Sequence, residues 1–255
     1  MRSTMPVKLR RLGIGLAVAA FWVAVWAVTS LAIGQELLLP TPWLVAETLW
    51  HLMGSGKFWL AVGTSLLRVL GGFAAAVAVG SLLAVLTTRF RLLHTLLSPL
   101  LYVVRAAPVA SFIIMAYVWI KVGVLPAFIA FLMVVPLVWE NVRQGILHTD
   151  RGLLEMAQVF RFGRLRTLRA VRLPSVRPYL EAALTTGFGF AWKSGIAAEV
   201  ICQPKLSIGQ NMYAAKAYLE TAEVIAWTVV VVLLSMVLEQ LLLRLFKRQR
   251  PGVKG

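Results

Sequence analysis

The sequence predicts an all-α polytopic membrane protein with six transmembrane helices and both termini in the cytoplasm. Three observations carry this reading. Of 255 residues, 60% are hydrophobic and 14% charged, with a mean hydropathy of +0.81; a soluble domain carries roughly 45–50% apolar and about 25% charged residues. Uncharged runs reach or approach the roughly 20 residues that cross a hydrocarbon core. Lys and Arg are shared very unevenly between alternate connecting segments, as the positive-inside rule requires of a spanning chain. The composition excludes an ordinary water-soluble enzyme, a disordered tail and a collagen-like fibre.

The first run, Leu12–Ile33, follows the basic segment Met1–Arg11. This order resembles a signal peptide, but the run exceeds the roughly 7–15 residues of a signal core, which favours an uncleaved first helix. The second, Val69–Thr88, is bracketed by Arg68 and Arg89. Ala106–Ile120 is shorter and follows a weaker apolar stretch, Leu92–Val104. The fourth is Val122–Trp139, closed by Glu140. A fifth is expected from Pro178 to Ala198, interrupted by Lys193, and the sixth from Val224 to about Phe246. Between the first two, Trp43, Trp50 and Trp59 cluster where an interfacial helix would hold them at headgroup depth.

With the N-terminus inside, twenty of the 26 Lys and Arg fall on cytoplasmic segments and six on outer ones. The formal net charge of +16 is therefore a topology signal, and no nucleic-acid partner is expected. A single Cys, Cys202, excludes an intramolecular disulfide and a Cys-rich metal site. His51, His94 and His148 are scattered, with no phosphate-binding Gly-Lys-Ser/Thr loop and no zinc or serine-hydrolase motif. No catalytic residue, metal site or cofactor is expected. Gly72, Ala76 and Gly80 put small residues at every fourth position, which lets another helix approach closely.

The longest cytoplasmic loop, residues 141–177, is the most informative. Leu153, Met156, Ala157 and Phe160 recur at helical spacing and predict a short amphipathic helix. Leu165, Leu168 and Val171 predict a second, and Pro174 and Pro178 punctuate the return to the membrane. Such a pair is suited to docking on another protein. A plainer reading is a basic loop whose arginines hold topology and touch anionic headgroups.

The spacing favours docking. The segment resembles the cytoplasmic signature of binding-protein-dependent ABC transporter permeases, Glu-Ala-Ala-x3-Gly-x9-Ile-x-Leu-Pro, with Glu155, Ala157, Val171, Leu173 and Pro174 in register. Met156 replaces an Ala. Arg161 replaces the Gly that allows a left-handed turn between helices, and Gly163, two residues on, is a position to which the turn could be displaced. Ser65-Leu-Leu-Arg68-Val-Leu-Gly71-Gly72-Phe73, Arg105-Ala-Ala-Pro108, Pro136, Asn141 and Ala198-Glu199 resemble the permease core of the nitrate/sulfonate/taurine group.

This resemblance implies a type I ABC importer permease of the MetI-like fold, multi-pass in a prokaryotic plasma (inner) membrane. The apolar runs and the Lys and Arg bias divide the chain into a cytoplasmic N-terminus and first helix over 1–34 and an outer loop with an interfacial helix over 35–68. A permease core over 69–246 and a basic cytoplasmic tail over 247–255 complete the chain. The implied partners are two ABC ATPase subunits, an extracytoplasmic substrate-binding protein, the lipid bilayer and a second permease, most simply an identical copy. ATP hydrolysis would belong to the ATPases, and Leu153, Glu155, Met156, Ala157, Phe160, Arg161, Gly163, Leu165, Leu173 and Pro174 would couple to them. For Glu155, a place in the first helical turn, where a carboxylate opposes the helix dipole, is expected.

The implied solute is a nitrate-, sulfonate- or taurine-like anion or a small heterocycle such as a thiamine precursor. Pro108, Trp192, Lys193, Ser194 and Glu199 are the candidates for the translocation path. Lys193 either attracts the solute there, with Trp192 stacked beside it, or snorkels to the outer surface or pairs with Glu199. Two other classes compete: an ion-driven secondary transporter, which would show internal repeats, and a membrane-embedded enzyme, which would need paired acids or a nucleophile–base pair. No repeat is evident, and one Asp with three scattered His is a thin supply.

Overall fold

A computed structural model describes residues 7–248, with side chains for 13–244. The basic N-terminal residues Arg2, Lys8, Arg10 and Arg11 and the whole 247–255 tail lie outside the described side chains. Every regular element among the described residues is helical. They are α1 (Val7–Ile33), α2 (Pro42–Met53), α3 (Gly56–Arg89), α4 (Arg91–Ala106), α5 (Val109–Tyr117), α6 (Leu125–Leu147), α7 (Arg151–Val159), α8 (Arg164–Thr167), α9 (Leu173–Cys202), α10 (Ile208–Ala217) and α11 (Thr221–Arg248), with a π-helical turn at Leu168–Arg172.

Among the described residues, four helices are long and apolar enough to cross a membrane: α1, α3, α6 and α11. The expected third span is not one helix. α4 and α5 meet at a 104° bend, because Pro108 has no N–H to continue α4 and pushes Ala107 into the extended region (φ −78, ψ 147). Counted as one broken span, the pair makes five. The expected fifth span falls on α9, a continuous helix of 30 residues that is not among the apolar spans. The second span also begins earlier than expected, since α3 runs from Gly56 through Lys57 and Arg68 rather than from Val69.

The chain divides into two compact units. One holds the residues up to Trp59 and Asn211–Val230. Within it, Thr41 caps α2 by accepting from the Leu44 N–H at 3.4 Å, and Pro42 occupies the first turn, where a missing N–H costs nothing. Trp26 Nε1 donates to the Pro40 carbonyl at 3.1 Å and Ser30 to the Leu39 carbonyl at 2.7 Å, tying α1 to the segment that leads into α2. Trp43 and Trp50, seven residues apart on one face of α2, stay exposed as an interfacial helix requires.

The other unit holds Leu60–Gln210 and the chain from Val231 onward. Its core is the packing of α3, α6 and α9. A Cβ on Gly72 would overlap the Ala127 carbonyl oxygen, and one on Gly80 would come within 2.9 Å of Val138 Cβ, so the small-residue stripe of α3 lies directly on α6. Ala76 between them is fully buried. Gly187 of α9 packs on Val134 and Leu137 of α6, and Gly195 on Val69 of α3. Trp139, buried, donates to the Thr87 hydroxyl at 2.8 Å. Ile113, Leu125, Ile129, Ala198 and Cys202 form an apolar cluster at the junction of α5, α6 and α9.

Candidate functional site

The segment between α6 and α9 opens with a cap. Asp150, the sole Asp of the chain, accepts from the Gly152 N–H at 2.8 Å and starts α7 in the manner of an N-cap carboxylate. Glu155 lies beyond the first turn of α7, so it does not answer the helix dipole as expected. It is exposed. Ala157 is the buried anchor of α7, while Leu153, Met156, Val159 and Phe160 are uncovered, Val159 at 79% and Phe160 at 68% exposure.

α7 ends in a Schellman motif. The Phe162 N–H donates to the Ala157 carbonyl at 2.8 Å and the Arg161 N–H to the Gln158 carbonyl at 2.9 Å, the 6→1 and 5→2 pair that closes a helix through a left-handed residue. That residue is Arg161, at φ 50. The turn therefore stays where the permease signature has Gly. It is not displaced to Gly163, which is extended at φ −63, ψ 160. A non-Gly residue in this conformation costs roughly 1–2 kcal/mol.

Beyond the turn, Arg166 stacks over the Phe162 ring at 4.2 Å, and a cavity of 430 Å³ opens between Ala157, Phe162, Arg164 and Arg172. The expected second short helix is not a separate element. α8 passes through the π turn into α9 with helical dihedrals throughout. Pro174 explains the π turn: it cannot donate to the Ala170 carbonyl, and upstream the Leu173 N–H reaches back to Leu168 instead. Leu165 and Leu173 are exposed and Val171 is buried. The segment thus offers uncovered apolar side chains on a capped helix and a stiff helical continuation, flanked by arginines.

A second constellation lies at the C-terminal end of α9. Glu199 is fully buried, and its Oε2 accepts from the Ser65 hydroxyl at 2.6 Å and the Gly209 N–H at 3.3 Å. Arg68 Nη1 approaches Oε1 at 3.4 Å and its Nη2 donates to the Lys205 carbonyl at 3.0 Å. The Ile208 N–H donates to Ser65 Oγ at 3.0 Å. Gly209 is obligatory, because a Cβ there would overlap the Glu199 backbone. Glu199 is therefore neither free in a path nor paired with Lys193.

Of the other path candidates, Trp192 is buried and donates to the Val231 carbonyl at 3.0 Å, which rules out stacking beside Lys193. Ser194 is buried and donates to its own helix at Phe190. Lys193 remains exposed, and Pro108 is exposed at the α4–α5 break. Sequence reasoning missed Asp150 as a cap, although an Asp just ahead of an apolar-periodic stretch is a helix-start signal. It also missed Val159.

Residues 76–254 match the family model described as binding-protein-dependent transport system inner membrane component. The putative aliphatic sulfonates transport permease protein SsuC of Escherichia coli (strain K12) is 28% identical over 236 residues, covering 90% of this chain and 89% of that protein. The taurine transport system permease protein TauC of the same organism is 25% identical over 232 residues, covering 89% and 84%. A crystal structure of an amino acid ABC transporter with histidines superposes with a TM-score of 0.58 at 18% identity, over 74% of this chain and 94% of that one, a likeness of fold.

Proposed function

Because the chain belongs to the family of binding-protein-dependent transport system inner membrane components, we propose that it is the permease subunit of an ABC importer. In this reading it forms the translocation path, takes solute from an extracytoplasmic binding protein and couples to two separate ATPase subunits that supply the hydrolysis. Two copies form the path. α1, α3, the broken α4–α5 pair, α6, α9 and α11 are the six crossings, with both termini cytoplasmic as the Lys and Arg bias implies. The relatives named for taurine and aliphatic sulfonates favour a small anionic solute over a neutral heterocycle.

The observation that carries the reading is the uncovered apolar face of α7, held rigid between the Asp150 cap and the Arg161 turn. Leu153, Met156 and Phe160 stay uncovered within the subunit, while Ala157 and Val171 are buried and α7 packs against the π turn. The ATPase groove is the occupant proposed for that face.

Co-purification from detergent with the cognate ATPase tests this. The wild-type chain is expected to retain it, and the Glu155→Ala/Phe160→Asp variant to bind it more than tenfold more weakly, the scale of losing a buried aromatic anchor. An ATPase that never accompanies the folded wild-type chain overturns the reading.

A further inference from the structure

α9 has two unlike faces. Ala183, Gly187, Phe188, Ala191, Gly195 and Ala198 are buried, with Gly187 and Gly195 in close contact with α6 and α3. Thr186, Phe190, Lys193 and Ala197 follow one another at three- and four-residue steps and are exposed, so they form a stripe along the other face. The glycine contacts fix the rotation of the helix. Lys193 cannot be turned inward without driving backbone into Val69 and Val134.

The ammonium of Lys193 is unanswered. No hydrogen bond or ion pair to it occurs among the described residues, and the carboxylate six residues on, Glu199, is already held by Ser65, Arg68 and Gly209. Nine residues of helix separate Lys193 from Cys202, about 13 Å at 1.5 Å per residue, and a four-carbon stem covers only part of that distance. A charge more than two turns inside the helix end is costly on a lipid-facing surface, and such residues turn toward water-filled cavities.

We propose that the stripe of α9 formed by Thr186, Phe190, Lys193 and Ala197 lines a water-filled passage, and that Lys193 is the residue that attracts a small oxyanion into it. This rests on the importer-permease reading, with its small anionic solute, and adds to it the residue that draws that solute in. The passage face is the one that subunit packing leaves open. Trp192 and Ser194 serve only to lock the helix in place.

The test is thiol labelling in membrane vesicles, using Ala197→Cys in a Cys202→Ala background. The introduced thiol stands one turn from Lys193, within about 6 Å. Both the anionic reagent methanethiosulfonate ethylsulfonate and its cationic trimethylammonium counterpart are expected to label it. The anionic-to-cationic rate ratio is expected to fall roughly three- to tenfold on Lys193→Gln, the effect of about 1 kcal/mol between close charges in a water-rich site. Lys193→Arg restores the ratio.

Failure of both reagents to label a thiol that reacts after denaturation overturns the passage. Labelling with an unchanged ratio overturns the role of Lys193. Neither result depends on an ATPase. A dry thiol at position 197 in a chain that co-purifies with its ATPase defeats this inference alone. A wet, charge-sensitive thiol there in a chain that never binds an ATPase defeats the importer reading alone.

Discussion

The Ser65 hydroxyl donates to Glu199 Oε2 at 2.6 Å, across 134 residues of sequence. The pair joins the first third of α3 to the end of α9, and the same hydroxyl accepts from the Ile208 N–H, so one oxygen links two helices and the start of α10. Arg68, one turn further along α3, adds its charge and a bond to the Lys205 carbonyl. The segment between α9 and α10 is thereby held from both sides.

Removal of either partner should be costly. Ser65→Ala leaves a buried N–H at Ile208 without its acceptor and takes one donor from a buried carboxylate, an expected loss of about 1–3 kcal/mol. Arg68→Met leaves that carboxylate without its countercharge and is expected to cost more, roughly 3–5 kcal/mol as for a broken buried pair. Thermal unfolding in detergent, followed by tryptophan fluorescence, should rank wild type above Ser65→Ala and Ser65→Ala above Arg68→Met. The reverse order would mean that the carboxylate leans on the hydroxyl more than on the guanidinium.

The neighbours Gly71 and Gly72 separate packing from composition. A Cβ on Gly71 meets nothing within 4 Å, while one on Gly72 runs into the Ala127 backbone. Gly71→Ala is expected to be neutral or mildly stabilising, since Ala favours the helix by up to about 1 kcal/mol. Gly72→Ala should force α3 off α6 at a cost of about 1–3 kcal/mol. Yield of monodisperse protein on size exclusion reads the difference, and equal behaviour of the two variants would show that α3 does not approach α6 this closely.

What could be read from the chain followed the strength of local signals. α1, α6 and α11 were legible because their apolar runs are long and carry few charges. α9 was only half legible, because a helix packed against protein on one side and carrying Lys193 on the other does not look like a lipid-facing span. The break at Pro108 turned an apparent span into two short helices, since hydropathy does not register a missing N–H. The signature from Glu155 to Pro174 was visible, but the continuous run of α8 into α9 was not, because Pro174 reads as a breaker where the structure absorbs it in a π turn. The partners of Glu199 were not legible at all: Ser65 and Arg68 stand more than a hundred residues away, and only tertiary packing joins them.

Arg161 holds a conformation that Gly adopts freely, so relieving it should tighten the turn. Arg161→Gly is expected to stabilise the end of α7 by about 0.5–1 kcal/mol, the αL cost less the greater freedom of Gly in the unfolded chain. Arg161→Val, β-branched and poorly suited to positive φ, should loosen it. Hydrogen exchange at the Phe162 amide, which closes the 6→1 bond to Ala157, reports this opening directly. Slower exchange in the Gly variant and faster exchange in the Val variant are expected. Unchanged exchange in both would mean that Arg161 bears no strain.

Asp150 governs the other end of the same helix. Its carboxylate satisfies the Gly152 N–H, and Asp150→Ala should cost about 0.5–2 kcal/mol of α7 stability, whereas Asp150→Ser keeps an acceptor and most of the cap. The cost need not appear in global unfolding, because α7 packs on the π turn and buries only Ala157 of its own residues. It should appear wherever α7 must act as a rigid body. If α7 is the lever that an ATPase drives, Asp150→Ala lowers ATPase co-purification, as a frayed first turn lets Leu153 and Met156 lose their fixed spacing, and Asp150→Ser restores it. Loss of association in Asp150→Ala without rescue by Ser would assign Asp150 a direct contact with the partner instead of a cap.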